Sequence, residues 1–223
     1  MNLTLRRSQL IALLDALLRA TLQPGSQPIS ARTLAQSVAF GGAMQGAAMG
    51  AYALTNGGSA AFILFSALKV PLFLGIAAAL MLPALYVIYA LWGLGSEFSL
   101  ALRALVAGQA AFALILASLS PFTLVFYLSG ATYRGAVGFN LGLFALAALA
   151  AQGLIRGRIR ELLERDPRHS RLLFVGFGLW AFVAVQLAWN LRPFVGNPNN
   201  AIQFLRPDAF TNAYLALWRI LVG

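Results

Sequence analysis

The stretch VPLFLGIAAALMLPALYVIYALWGL, residues 70–94, contains no charged side chain. It exceeds the roughly 20 apolar residues that a helix needs to cross the hydrocarbon core of a bilayer. Such a run is more stable in lipid than in water, so it is read as a spanning helix, with Pro83 near its middle predicting a kink. The chain around it has the same character. Hydrophobic residues make up 60%, charged residues 10% and the mean hydropathy is +0.79, against about 25% charged residues in an ordinary soluble domain.

Working outward, three more apolar runs of spanning length follow. They cover residues 101–128, a run from the Tyr133-Arg134 loop to about residue 155, and residues 172–191, which Pro193 terminates because the residue before a proline is pushed out of helical geometry. Pro121 predicts a second bend, with Ser118 and Ser120 placed to satisfy the backbone groups it frees. Before residue 70, Asn56-Gly57-Gly58 forms a turn, and residues 60–68 are apolar but too short to span. They read as a re-entrant piece, an interfacial piece or an extension of the next helix, with Lys69 as a water boundary. Residues 31–54 form the first and least hydrophobic span, with Ser30 as its N-cap. The expected fold is therefore all-α, a polytopic bundle of about five transmembrane helices.

Both ends read differently. Residues 3–22 place Thr4, Ser8, Asp15 and Arg19 opposite a leucine-rich face, the pattern of an interfacial amphipathic helix. Residues 210–221 form a shorter amphipathic stretch. This divides the chain into an N-terminal helix and linker (1–30), a transmembrane domain (31–192) and an extracytoplasmic tail (193–223). The leucine-rich segment after Arg6 and Arg7 is interrupted by Asp15 and Arg19, so it is not read as a removable signal peptide.

The net charge of +10 belongs to topology rather than to nucleic acid. Six arginines crowd into residues 156–171, between two apolar runs, where positive charge marks a cytoplasmic loop and attracts anionic lipid. With five spans, eleven basic residues fall on the side of the N-terminus and five on the other. The expected placement is the cell inner membrane, with a cytoplasmic N-terminus and an extracytoplasmic C-terminus.

The layout resembles the Yip family of membrane proteins, and three stretches carry the likeness to a bacterial, Yip-like subset. Ser66-Ala67-Leu68-Lys69-Val70-Pro71-Leu72 resembles the start of a core helix, and Leu116-Ala117-Ser118-Leu119-Ser120-Pro121 resembles a later kinked helix. Trp189-Asn190-Leu191-Arg192-Pro193-Phe194-Val195-Gly196-Asn197-Pro198 resembles a tail. The resemblance covers roughly residues 60–214 and implies a compact helical bundle without a known catalytic centre. The acidic Asp-Leu-Tyr-Gly-Pro motif of the eukaryotic members is missing, so their trafficking role is not carried over.

Candidate chemistry is sparse. With no cysteine, thiol catalysis and thiolate metal sites are excluded. The one histidine, His169, lies in Asp166-Pro167-Arg168-His169 and reads as a solvated or headgroup-facing loop residue. Asp15, Glu97, Glu161, Glu164, Asp166 and Asp208 all fall outside the middle of the spans, which argues against proton coupling. No catalytic residue, metal ligand or cofactor is expected.

Within the spans, Gln45, Gln109, Asn140, Gln152, Gln186 and Asn190 could line a pathway or bond helix to helix, and the second account is favoured. Gly42, Gly46 and Gly50 form a row on one helical face, where a neighbouring backbone can approach closely, and a partner helix of the same chain is favoured over another subunit. Arg192 caps the fifth span beside the interfacial Trp189, or with the tail holds a lipid phosphate or a protein. Arg156, Arg158 and Arg160 serve as topology signals or as a lipid site. The expected partners are membrane lipids, anionic ones included, and a protein companion or further copies of the chain, with no nucleic acid. Three functions follow: a structural or accessory membrane protein, a channel or carrier for a neutral or anionic solute, and, ranked last, an intramembrane enzyme.

Overall fold

The computed structural model describes residues 30–197, 202–205 and 212–215. The amphipathic helix expected over residues 3–22 lies outside the described residues, as does most of the stretch expected over 210–221. Among the described residues there are helices and no strands. The long helices are α1 (Ala31–Thr55), α2 (Ala61–Leu91), α3 (Phe98–Leu128), α4 (Tyr133–Arg158) and α6 (Arg168–Leu191), and the short α5 (Arg160–Arg165) joins the last two. Four of them, α2, α3, α4 and α6, are long and apolar enough to cross a membrane. Their outward faces suit that solvent: Leu91 is 79% exposed and Phe174 74%, where hydrocarbon would surround them at no cost.

Local chemistry sets the boundaries. The Ser30 side chain accepts a hydrogen bond from the Thr33 backbone N–H and caps α1, and Thr132 does the same for α4 through Gly135. Gly93 and Gly130 take positive φ just past the ends of α2 and α3, the left-handed geometry that stops a helix at little steric cost in glycine. Proline does not end these helices. Pro71, Pro83 and Pro121 lie inside them, and the Ser120 hydroxyl donates to Ala117 O at 2.7 Å. That is the carbonyl left without its usual donor by Pro121.

Short connections make successive long helices antiparallel, so the bundle has two ends. One, here the basic side, carries the start of α1, the α2–α3 turn and α5. The other, the far side, carries the α1–α2 and α3–α4 turns and the end of α6. The least apolar long helix, α1, is wedged between α2 and α3. A Cβ on Gly42 would lie 2.9 Å from Pro71 N, one on Gly46 would strike Ser66 O, one on Gly50 would strike Phe62 O, and one on Gly41 would strike Ala113 O. The glycine row thus faces α2 of the same chain, and Gly41 faces α3.

Of the three readings of residues 60–68, the extension of the next helix holds: Ala60 is the N-cap, and residues 61–68 form the first turns of α2, which runs unbroken through Lys69 and Pro71. The expectation for Lys69 is corrected. Lys69 is no water boundary, because it is fully buried. The helix continues past it because its ammonium finds a backbone acceptor inside the protein.

Candidate functional site

Three constructions involve the groups that sequence singled out. On the far side, the segment after α6 folds back onto the bundle. The Lys69 Nζ donates to Pro193 O at 2.8 Å, and the Ser66 hydroxyl donates to Phe194 O. The Phe204 ring lies over the ammonium, 5.0 Å from centroid to Nζ. Val195 is buried, and Gly196 packs so closely on Phe62 and Ala53 that a Cβ would lie 2.7 Å from the Phe62 ring. The first residues of the expected tail are therefore part of the bundle, latched to α2 by its lysine. Arg192 stacks its guanidinium over the Trp189 ring at 3.5 Å.

Also toward the far side, four polar side chains meet in the interior. Gln45 Nε2 donates to Asn140 Oδ1 at 3.0 Å and to Thr123 Oγ1 at 3.2 Å, while Asn140 Nδ2 donates to the Tyr127 hydroxyl and to Ala136 O. This network ties α1, α3 and α4 together. Elsewhere Gln109 donates to Leu74 O at 3.0 Å, joining α3 to α2, and Gln186 donates to Asn190 and accepts from the Ala213 backbone N–H. These amides bond within and between elements rather than forming a polar file. Gln152, by contrast, lines a cavity.

That cavity, about 400 Å3, occupies the basic-side half between α1, α2, α3, α4 and α6. Its walls are almost wholly apolar, with Ala35, Ala39, Gly75 and Ala78 on one flank and Phe112, Ile155 and Trp180 deeper in. Ala35, Ala39 and Gly75 are exposed, so the cavity reaches the outer surface of the bundle along α1 and α2. The opening lies beyond the contact of Gly42 with Pro71, where the close approach of these two helices ends. The indole N–H of Trp180 has no partner among the described residues.

The basic-side corner holds the third group. His169 is fully buried, with Nε2 2.6 Å from Glu97 Oε2 and its ring 6.3 Å from that of Tyr89. This corrects the expectation of a solvated loop histidine: Arg168 and His169 form the first turn of α6. Asp166-Pro167 is a recognisable helix start, since a carboxylate can accept the free N–H groups and proline has none to leave unpaired. Asp166 accepts from the Arg168 backbone N–H at 2.8 Å and pairs with its guanidinium at 2.6 Å, while Arg168 also donates to Trp92 O. The side-chain hydrogen bond from Arg168, with the backbone one behind it, holds the Asp166 carboxyl below the usual carboxylate range.

The remaining arginines separate. Arg160 pairs with Glu164 at 2.8 Å on the surface, and Arg156 is exposed. Arg158 is half-buried, and its Nε and Nη2 have no hydrogen-bond partner among the described residues. Among the described residues no group of three or more histidine, aspartate or glutamate side chains could hold a metal ion. Comparison of the chain with family models, with curated proteins and with solved structures found no match.

Proposed function

We propose that this chain is a structural or accessory protein of the membrane, which packs against partner proteins or organises the surrounding bilayer and carries out no catalysis. The observation that supports the reading is the pairing of Gln45, Thr123, Tyr127 and Asn140 with one another. A solute pathway needs such groups to face a file of water or substrate, whereas here they join helices. The resemblance to bacterial Yip-like proteins agrees with a bundle of this kind and adds no mechanism. In this reading five helices cross the cell inner membrane, the N-terminus is cytoplasmic by the positive-inside rule, and the basic side meets anionic headgroups.

A second reading, a carrier or channel for a neutral or anionic solute, is favoured by one feature: the cavity opens in the basic-side half and is closed toward the far side. Flux of glycerol and of chloride into liposomes holding the purified chain separates the two. The accessory reading expects flux no higher than in protein-free vesicles; saturable uptake by the wild type would replace it with the carrier. Native mass spectrometry of a mild-detergent extract should then find stoichiometric companion chains, and a lone oligomer would count against the accessory role.

A further inference from the structure

We propose that the basic-side cavity is a binding site for one acyl chain of an anionic phospholipid taken from the adjoining leaflet. Its volume of about 400 Å3 lies within the roughly 300–1,000 Å3 of ligand pockets. Its α3 wall runs from Ala101 to Phe112, a rise of about 16 Å along the helix. One leaflet contributes about half of a hydrocarbon core of roughly 30 Å. The site is therefore as deep as one leaflet.

The lining selects against a water-soluble ligand. Of its few polar side chains, Gln109 donates to Leu74 O, leaving Gln152, Tyr89 and the indole N–H of Trp180, which has no partner among the described residues. Those few donors suit a single acceptor, such as an ester carbonyl, on an otherwise apolar molecule. The sideways opening at Ala35, Ala39 and Gly75 admits a tail from lipid rather than a solute from water.

Charge at the basic end selects the headgroup. On the helical wheel of α4, Arg158 falls beside Ala151 and Ile155, both of which line the cavity. Its Nε and Nη2 are buried and have no acceptor among the described residues, and a phosphate oxygen would supply one. Arg156 follows Ile155, Arg32 follows Ala31, and both are exposed. Positive charge at this end of the bundle favours a lipid with net negative charge over one whose ammonium cancels its phosphate.

The test uses the full chain reconstituted in vesicles of equal phosphatidylglycerol and phosphatidylcholine, extracted in mild detergent and weighed by native mass spectrometry. The wild type should retain one phosphatidylglycerol per chain, preferred about tenfold, equivalent to about 1.4 kcal/mol. Ala78→Phe should fill the cavity and lose the lipid while melting no lower than wild type. Gly75→Leu serves if that variant does not fold, since nothing lies within 4 Å of a Cβ there. Arg158→Gln should keep a lipid but bring the preference near parity. A wild type that retains no lipid, or a folded cavity-filled variant that retains as much as wild type, overturns the proposal. So does a dimer that excludes lipid, which would give the cavity to a second copy. Lipid retention and solute flux are separate readouts, so this site can fail while the accessory role stands, and the reverse.

Discussion

The far half of the bundle and its basic-side half are built from the same helices and packed by opposite rules. Toward the far side, glycine is used to bring backbones together: Gly42, Gly46 and Gly50 let α2 lie directly on α1, and the polar groups nearby bond to one another. In the basic-side half, alanine and glycine instead leave space, because Ala35, Ala39, Gly75 and Ala78 line a cavity that no side chain of the described residues fills. A small residue thus means contact in one place and vacancy in the other. The difference lies in whether a neighbouring backbone stands within reach.

The largest effect should come from closing the close approach. Gly46→Leu puts a branched side chain where Ser66 O and Ala67 Cα already lie, and overpacking of this kind costs about 3 kcal/mol or more. Size-exclusion chromatography should show loss of the monodisperse species, and an unchanged profile with an unchanged melting point would contradict the packing described. Next is the latch. Lys69→Met keeps the apolar length of the side chain but leaves Pro193 O without its donor, at a cost of about 1–3 kcal/mol. Limited proteolysis should then cut the chain after α6 faster than in wild type, and equal cleavage rates would remove the latch from the account.

Asn140→Leu should cost about 1 kcal/mol, since interhelical hydrogen bonds in membranes average about 0.6 kcal/mol and this residue joins Gln45 to Tyr127. Thermal melts in one detergent read it directly. The smallest effect belongs to the basic-side corner. The folded Asp166 carboxyl titrates below its ordinary value of about 3.9. Its contribution is therefore present above that value and is lost as pH falls through the folded one. Wild type should melt slightly above Asp166→Asn at neutral pH, and the gap should close on acidification below the ordinary carboxylate range. A gap that widened on acidification would reverse the sign.

The spanning helices were legible because hydrophobicity is local: residues 70–94 announce a helix in lipid without any knowledge of neighbours. Ser30 as a cap and Ser120 as the donor to the carbonyl freed by Pro121 were legible for the same reason, whereas Ser118 donates to Ile115 O instead. Lys69 misled because a lone charge after a short apolar run resembles a boundary, and its acceptor lies 124 residues away in sequence. His169 misled because its burial depends on Glu97 and Tyr89, on other elements, although Asp166-Pro167 carried a helix-start signal that could have placed it in α6. The low hydropathy of α1 follows from its place between α2 and α3, where glycine serves better than leucine. The cavity left no mark in sequence at all, being an absence shared by five helices.

The central contrast is tested most directly by one pair of melts in the same detergent, Gly46→Ala against Gly75→Ala. The first methyl would collide with the backbone at Ser66, while the second has nothing of the described residues within 4 Å and gains the helix preference of alanine over glycine, up to about 1 kcal/mol. The melting point should fall for Gly46→Ala and rise or hold for Gly75→Ala. Shifts of the same sign and size would contradict the account.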